Sequence, residues 1–499
     1  MANIPVFSKS RYLEGLKCPK LLWKRCNAKD EFPPVDPSTQ AIFDQGNRVT
    51  ELAHSLFPGG IEIKGVTDYD AILARTQELL AKRVPLFEPA FRVKSLFARP
   101  DILAPNKDGS WDVFEVKSSG SVKDVYLPDV AFQTVCFEMS GLRIRKISLV
   151  LVDSGYVRHG EVDVKALFKI TDVTKLIRPL CKEVEANLQR MLQVSDQRTC
   201  PDVKIGPQCS NPYGCPLEEL CWKHIPEDSP FIYNHILATK AFGFINEGYL
   251  KGADVPAERL TSEKHQIIRA CHVGQKVHAD SKALGGFLKK LEFPLYFMDF
   301  ETVNPAIPLY ENTSPFEQVP FQFSLHIVED LAKKPVHHAF LAEGKSDPRP
   351  EFMKRLKALI GPAGNIVAFS MKFESGCLKR AAEVYPEYSD WVKELEPRFI
   401  DLLVPFRRFD YYDPKQLGSC SIKYLYPALV GGSYEGMAIS DGEEASREYA
   451  RVTFSEGVPE KERRGIYDGL LEYCKLDTQA MIDVLNVLRR TVTEKKRSK

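Results

Sequence analysis

The sequence predicts an α/β protein of more than one domain, and three observations carry that reading. The chain has 499 residues, too many for one core at roughly 100 to 200 residues per domain. Its composition, 44% hydrophobic and 27% charged, is that of a globular protein rather than a disordered or fibrous one. The hydrophobic spacing switches along the chain between the helical period and the strand period, as a mixture of helices and sheets requires.

The first 80 residues read as helices: 10–24, 40–57, and 69–83, the last opened by capping-type Asp68 and Asp70. The period then changes. Residues 86–98 and 101–104 read as strands, 106–110 (Asn-Lys-Asp-Gly-Ser) as a hairpin turn and 111–117 as a third strand. Residues 124–139 return to helical spacing, and 146–153 form a β-branched, apolar strand. A helix over 175–193 leads into a loop, 200–222, whose glycine and prolines oppose regular structure. This ends a first domain, 1–225. Short helical patterns with Gly243, Gly248 and Gly252 make 226–290 a small helical connector. In 291–490, strands are expected at 295–300, 320–328, 337–341 and 365–369, with helices at 351–359, 373–384 and 464–490. Residues 491–499 read as a basic tail.

Several classes are excluded. The longest apolar run, 147–152, is far below the roughly 20 residues of a membrane-spanning helix. Residues 1–12 lack the apolar stretch of a secretory signal. Twelve cysteines without such a signal point to a reducing, cytoplasmic setting and to thiols or metal ligands rather than disulfides. With 68 basic and 67 acidic residues the net charge is +1, so any attraction for nucleic acid must be local. No internal repeat is present.

The acids carry the chemistry. Asp299 and Glu301 lie two apart on an expected strand and share a face. On an otherwise apolar strand such a pair is costly unless it binds cations or accepts hydrogen bonds. Glu374 follows in Ser370-Met-Lys-Phe-Glu374, where a strand turns into a helix. Tyr473 and Asp477 are four apart on the last helix, so they share a face and can join the same site. Four acids suit two hard divalent ions, Mg2+ or Mn2+, about 3.5 to 4 Å apart, with tyrosine orienting water. Together these motifs resemble the DnaQ-type (DEDD) exonucleases of the tyrosine subclass. The resemblance implies an RNase H-like domain over 291–490 with 3'-5' exonuclease chemistry. It makes Asp299, Glu301, Glu374 and Asp477 metal ligands and Tyr473 the water-orienting residue. Glu374 stands where that family usually has aspartate, and Ser370 where it often has asparagine.

In the first domain, Asp101 opens a strand, Glu115 and Lys117 share a face of the next, and Gln133 lies on the following helix. Carboxylate-bound metal would activate water, and lysine would stabilise charge at the phosphate. This order resembles the RecB-like PD-(D/E)xK nucleases, which implies a restriction-endonuclease-like fold with Asp101 and Glu115 as metal ligands. Those enzymes often carry a histidine four residues after a helix glycine. Here Thr50 follows Gly46, with Glu51 and His54 as substitutes.

Cys209, Cys215 and Cys221 are spaced by five intervening residues, and Cys18 lies in the first helix. One distant and three clustered thiolates can make a four-cysteine site, with Cys200 and Cys26 as rival ligands. Several RecB-like nucleases hold a [4Fe-4S] cluster in this way, and zinc is the alternative. The remaining cysteines, Cys474 among them, read as ordinary small residues.

The whole chain resembles a bacterial family of uncharacterised two-nuclease proteins. The expected function is metal-dependent hydrolysis of nucleic acid, DNA ahead of RNA, without membrane association. Tyr411, Tyr412 and Tyr424 are candidates for base stacking and equally for core packing. The rival from another class is a non-catalytic nucleic-acid-binding or assembly protein with decayed sites, for which Thr50 and Glu374 are the signal.

Overall fold

The structure, a computed structural model, describes residues 6–64, 68–330 and 333–497. It divides into two compact units, Met1–Lys223 with Pro305–Phe316, and His224–Asn304 with Glu317–Lys499. Both are mixed α/β. Residues 226–290, expected to bridge two domains, cluster instead with the second unit, and 305–316 cluster with the first.

The first unit is built on six strands: β1 (Ile61–Glu62), β2 (Leu86–Phe87), β5 (Ile102–Pro105), β6 (Trp111–Lys117), β7 (Ile144–Val152) and β8 (Phe168–Asp172), paired in that order. The β6–β7 pair is parallel, β5–β6 and β7–β8 antiparallel. β3 (Phe91–Val93) and β4 (Leu96–Ala98) form a separate hairpin. The single strand expected over 86–98 is therefore three, because Glu88 and Lys94 adopt left-handed backbone (φ 54 and 51) and turn the chain. The single helix expected over 10–24 is two, Lys9–Lys17 and Pro19–Asn27. Cys18, which precedes Pro19, is extended (φ −160, ψ 124), since a residue before proline is forced out of the helical region. The helices Tyr126–Met139 and Thr174–Ser195 pack over the sheet around Phe132, Phe137, Leu149 and Val184.

The second unit has the strand order β12-β11-β10-β13-β14: Val336–Leu341, Val319–Val328, Leu295–Val303, Asn365–Ala368 and Phe399–Asp401. β10 is central, antiparallel to β11 and parallel to β13. A short ladder joins β9 (His278–Ala279) to β15 (Tyr411–Tyr412). Helix Glu460–Arg497 packs with Met481, Leu485 and Leu488 in a core that includes Leu295 and Phe297 of β10. It runs into the stretch expected as a basic tail, which is helical through Arg497; Ser498 and Lys499 lie outside the described residues. Among the described residues no helix is long and apolar enough to cross a membrane.

Candidate functional site

Asp299 and Glu301 lie on β10, opposite Ser324 and Gln322 of β11, and the register slips just beyond Glu301. β13 ends beside β10, and the chain turns through Ser370 at φ 74 into the helix Lys372–Val384, whose first turn carries Glu374. The turn is held by Asp401, whose carboxylate accepts from the Ser370 amide at 3.0 Å. The position where the resembled family often has asparagine is thus a left-handed one, which asparagine tolerates better than serine.

Tyr473, Cys474 and Asp477 come from the helix Glu460–Arg497. The helix is registered against β11 by Thr478, whose hydroxyl meets Ser324 Oγ at 2.7 Å and His326 Nδ1 at 2.8 Å. It meets β10 through Cys474, whose thiol donates to Asp299 Oδ2 at 3.4 Å. Asp299, Glu301 and Cys474 each offer a ligand atom within 4.8 Å of the others. Burial, and then the charges of Asp477, Glu301 and Glu374, push the Asp299 carboxyl well above the usual carboxylate range. Burial and Asp477 do the same to Glu301, against the opposing charge of Lys423. Burial pushes Glu374 up to about 8. It raises Asp477 to about 6, restrained by hydrogen bonds from Tyr434 and Tyr473. Glu374 is 2% exposed, and its Oε2 has no hydrogen-bond partner. The four acids and the tyrosine expected from the sequence therefore come together, with Lys423 as the cation that opposes the charge of Glu301 and Asp477.

Sequence reasoning missed four contributors. Tyr434, in a loop, donates to Asp477 Oδ1 at 2.7 Å, and nothing in the pattern pointed to it. Lys423, on the helix Ile422–Val430, stands 5.5 Å from the Tyr473 ring centroid. Asp441 caps the helix Gly442–Phe454 and adds its charge to Glu301. Cys474 was counted with the ordinary cysteines, although it lies three residues before Asp477 and so shares a helix face with it. Tyr411 and Tyr412, candidates for stacking, are buried, and the Tyr412 hydroxyl is held by His272 and the Gly418 amide.

The first unit gathers a different cluster. Asp101 precedes β5 and accepts the Val116 amide at 2.6 Å. Glu115 and Lys117 lie on β6, and Gln133 on the helix Tyr126–Met139. Glu115 Oε1 accepts from Lys117 at 3.0 Å and from Lys9 at 2.8 Å, and its Oε2 accepts from Gln133 at 3.0 Å. Asp129, missed though it sits four before Gln133 on the same helix, is bound by Lys117 and Gln133. Burial works to raise Glu115, but the charges of Lys117 and Lys9 outweigh it and hold the carboxyl at about 2. Burial and the Glu115 charge push Asp101 up to about 7. His54 stacks on Phe87 at 4.0 Å and keeps a buried Nε2 without a hydrogen-bond partner, and Glu51 pairs with Lys64 at 3.5 Å.

Cys18, Cys209, Cys215 and Cys221 line one cavity together with Leu21, Leu217 and Trp222. Cys18 is brought there by the bend at Pro19. Of the rivals, Cys200 is near enough to act electrostatically on Cys221. Cys26 instead packs against the first unit's core.

A family model described as a domain of unknown function (DUF2779) matches residues 296–421. That span contains Asp299, Glu301 and Glu374 but neither Tyr473 nor Asp477. Uncharacterized protein MG366 homolog of Mycoplasma pneumoniae is 24% identical over 283 residues, 52% of this chain and 42% of the relative. Uncharacterized protein UU173 of Ureaplasma parvum is 24% identical over 284 residues, 52% of this chain and 40% of the relative. The chain therefore spans less than half the length of these curated relatives.

Proposed function

We propose that the chain is a metal-dependent nuclease, its second unit an RNase H-like exonuclease domain and its first a restriction-endonuclease-like, RecB-like domain. One observation carries this reading. Asp299, Glu301, Glu374 and Asp477 converge from three elements where β10 continues past its pairing with β13, and Glu374 keeps an unpartnered oxygen. Buried carboxylates in that state favour protonation unless cations compensate them.

The residues fit Mg2+ or Mn2+, since oxygen donors are what hard ions take. Asp299, Glu301, Glu374 and Asp477 would hold two such ions, which supply charge stabilisation for in-line displacement at phosphorus. The chain's own groups do the rest. Tyr473 orients the attacking water by its hydroxyl, Tyr434 fixes Asp477, and Lys423 offers a cation for phosphate. The substrate class is nucleic acid, DNA ahead of RNA. The decisive experiment incubates purified protein with Mn2+ or Mg2+ and end-labelled single-stranded DNA and RNA. Shortening that vanishes in Asp299→Ala supports the reading, and intact substrate with every metal rules it out.

The first unit is read either as a second nuclease site or as a clamp that binds without cutting. The clamp is favoured by Lys9, whose ammonium sits on the Glu115 carboxylate that a metal would need. Unchanged activity of Lys117→Ala on every substrate would leave the first unit a binding clamp.

Cys18, Cys209, Cys215 and Cys221 fit a [4Fe-4S] cluster, which would tie the amino-terminal helices to the end of the unit. The shared cavity supports this, and zinc is the alternative. Anaerobically purified protein is expected to be brown with iron and sulfide. Colourless protein with stoichiometric zinc would reverse the assignment.

A further inference from the structure

The acidic centre of the second unit contains a group that hard ions do not use. Cys474 is fully buried, with its sulfur 3.4 Å from Asp299 Oδ2 and 3.7 Å from the Asp299 carbonyl. Asp299, Glu301 and Cys474 can each place one ligand atom within 4.8 Å of the other two. A second observation points into the same space. Glu374, 2% exposed, keeps an oxygen without any hydrogen-bond partner, and its charge acts on both Asp299 and Glu301. Negative charge is therefore in excess around a buried thiol. Magnesium is bound almost wholly by oxygen, whereas zinc-like ions accept thiolate and carboxylate in one tetrahedral set.

We propose that Asp299, Glu301 and Cys474 form a mixed thiolate–carboxylate site for one thiophilic divalent cation of the zinc and cadmium class, distinct from the oxygen-only arrangement of the hydrolytic reaction. The proposal rests on reading this cluster as a cation-binding centre. On binding, the Cys474 S–H bond breaks, its proton passes to water and a sulfur–metal bond forms; no electron is transferred. Asp299 and Glu301 belong to both arrangements. A soft ion held by sulfur therefore takes two carboxylates away from the hard ions, and zinc becomes an inhibitor through Cys474.

The test is a Cd2+ titration of the full chain in excess Mg2+, followed by the ultraviolet sulfur-to-cadmium charge-transfer band. Wild type, Cys474→Ser and Asp299→Asn are compared, all keeping the same other cysteines. Each variant is expected to bind one Cd2+ fewer than wild type and to lose the same increment of absorbance. If either binds as many ions as wild type, the site does not exist. Asp299→Asn leaves the thiol in place, so it decides the matter alone should Cys474→Ser not fold by circular dichroism. Zn2+ inhibition of Mn2+-dependent cleavage should also weaken at least tenfold in Cys474→Ser, and unchanged inhibition contradicts the proposal. Because the cadmium band needs no nucleic acid, a chain that shows the increment but never cuts keeps this site and loses the nuclease reading. A chain that cuts without the increment does the opposite.

Discussion

Each unit places acids on a strand of a mixed sheet, but the two clusters solve the cost of burial differently. In the first, Glu115 is met by Lys9, Lys117 and Gln133, and Asp129 by Lys117 and Gln133. Glu115 and Asp129 are thus compensated from within, whereas Asp101 is pushed up, to about 7, by burial and the Glu115 charge. In the second, four acids face a tyrosine pair, a thiol and one lysine that lowers Glu301 and Asp477 without joining them. Buried like charges without counter-ions favour protonation and oppose folding of the ionised form. The contrast teaches that an acid can be needed for stability in one cluster and be a burden in the other, although the side chains are chemically alike.

Removing one charge from each cluster should break or confirm that contrast, and this is where the largest effect is expected. Glu115→Gln leaves Lys9 and Lys117 with one carboxylate fewer, and metal-free stability should fall by about 3 kcal/mol, as for a broken buried pair. Asp299→Asn should instead raise metal-free stability by about 1 kcal/mol or more, by relieving repulsion. Thermal and urea denaturation read both. The same sign in both variants would erase the distinction.

The next effect is on pH dependence. Folded-state values of about 8 for Glu374 and about 6 for Asp477 lie above the unfolded values. Acids raised in this way favour the fold at low pH, and their contribution is lost as pH rises through those values. Metal-free stability of the second unit should therefore decline between about pH 5 and 8, by at most about 1.4 kcal/mol per pH unit for each group. Saturating Mn2+ should flatten or reverse the slope. Glu115, held at about 2, contributes in the other direction, and its share is lost only below about pH 4.

A smaller effect is expected at Lys9. Its ammonium occupies Glu115 Oε1, so Lys9→Met should strengthen Mn2+ binding in the first unit by about tenfold, near 1.4 kcal/mol. Calorimetry in an Asp299→Asn background isolates that unit, and unchanged affinity would show that the lysine does not compete with metal. The smallest effect belongs to Ser370. At φ 74, Ser370→Asn should stabilise the protein by up to about 1 kcal/mol.

The acids on regular elements were legible in the sequence. Asp299 with Glu301 follows from the period of two, and Tyr473 with Asp477 from the helical spacing of four. Asp129 carried the same signal relative to Gln133 and went unread because the glutamine alone fitted the motif. Lys9 and Tyr434 were illegible for another reason: their partners, Glu115 and Asp477, are 106 and 43 residues away. No local period encodes such pairs. Pro19 foretold a break that the amphipathic spacing of 10–24 concealed, and that break delivers Cys18 to its cavity. The strand β8 was missed because Phe168–Asp172 buries chiefly its first residue, which leaves almost no apolar alternation to read.

The central claim is that the second cluster is the cation-dependent hydrolytic centre, and its most direct test is Mn2+-dependent shortening of end-labelled single-stranded DNA by Asp299→Asn beside wild type, with the fold of each verified by its melting temperature. The account predicts a variant that melts higher than wild type without metal and releases no nucleotides with it. A variant that melts higher and still shortens the substrate at the wild-type rate would contradict it.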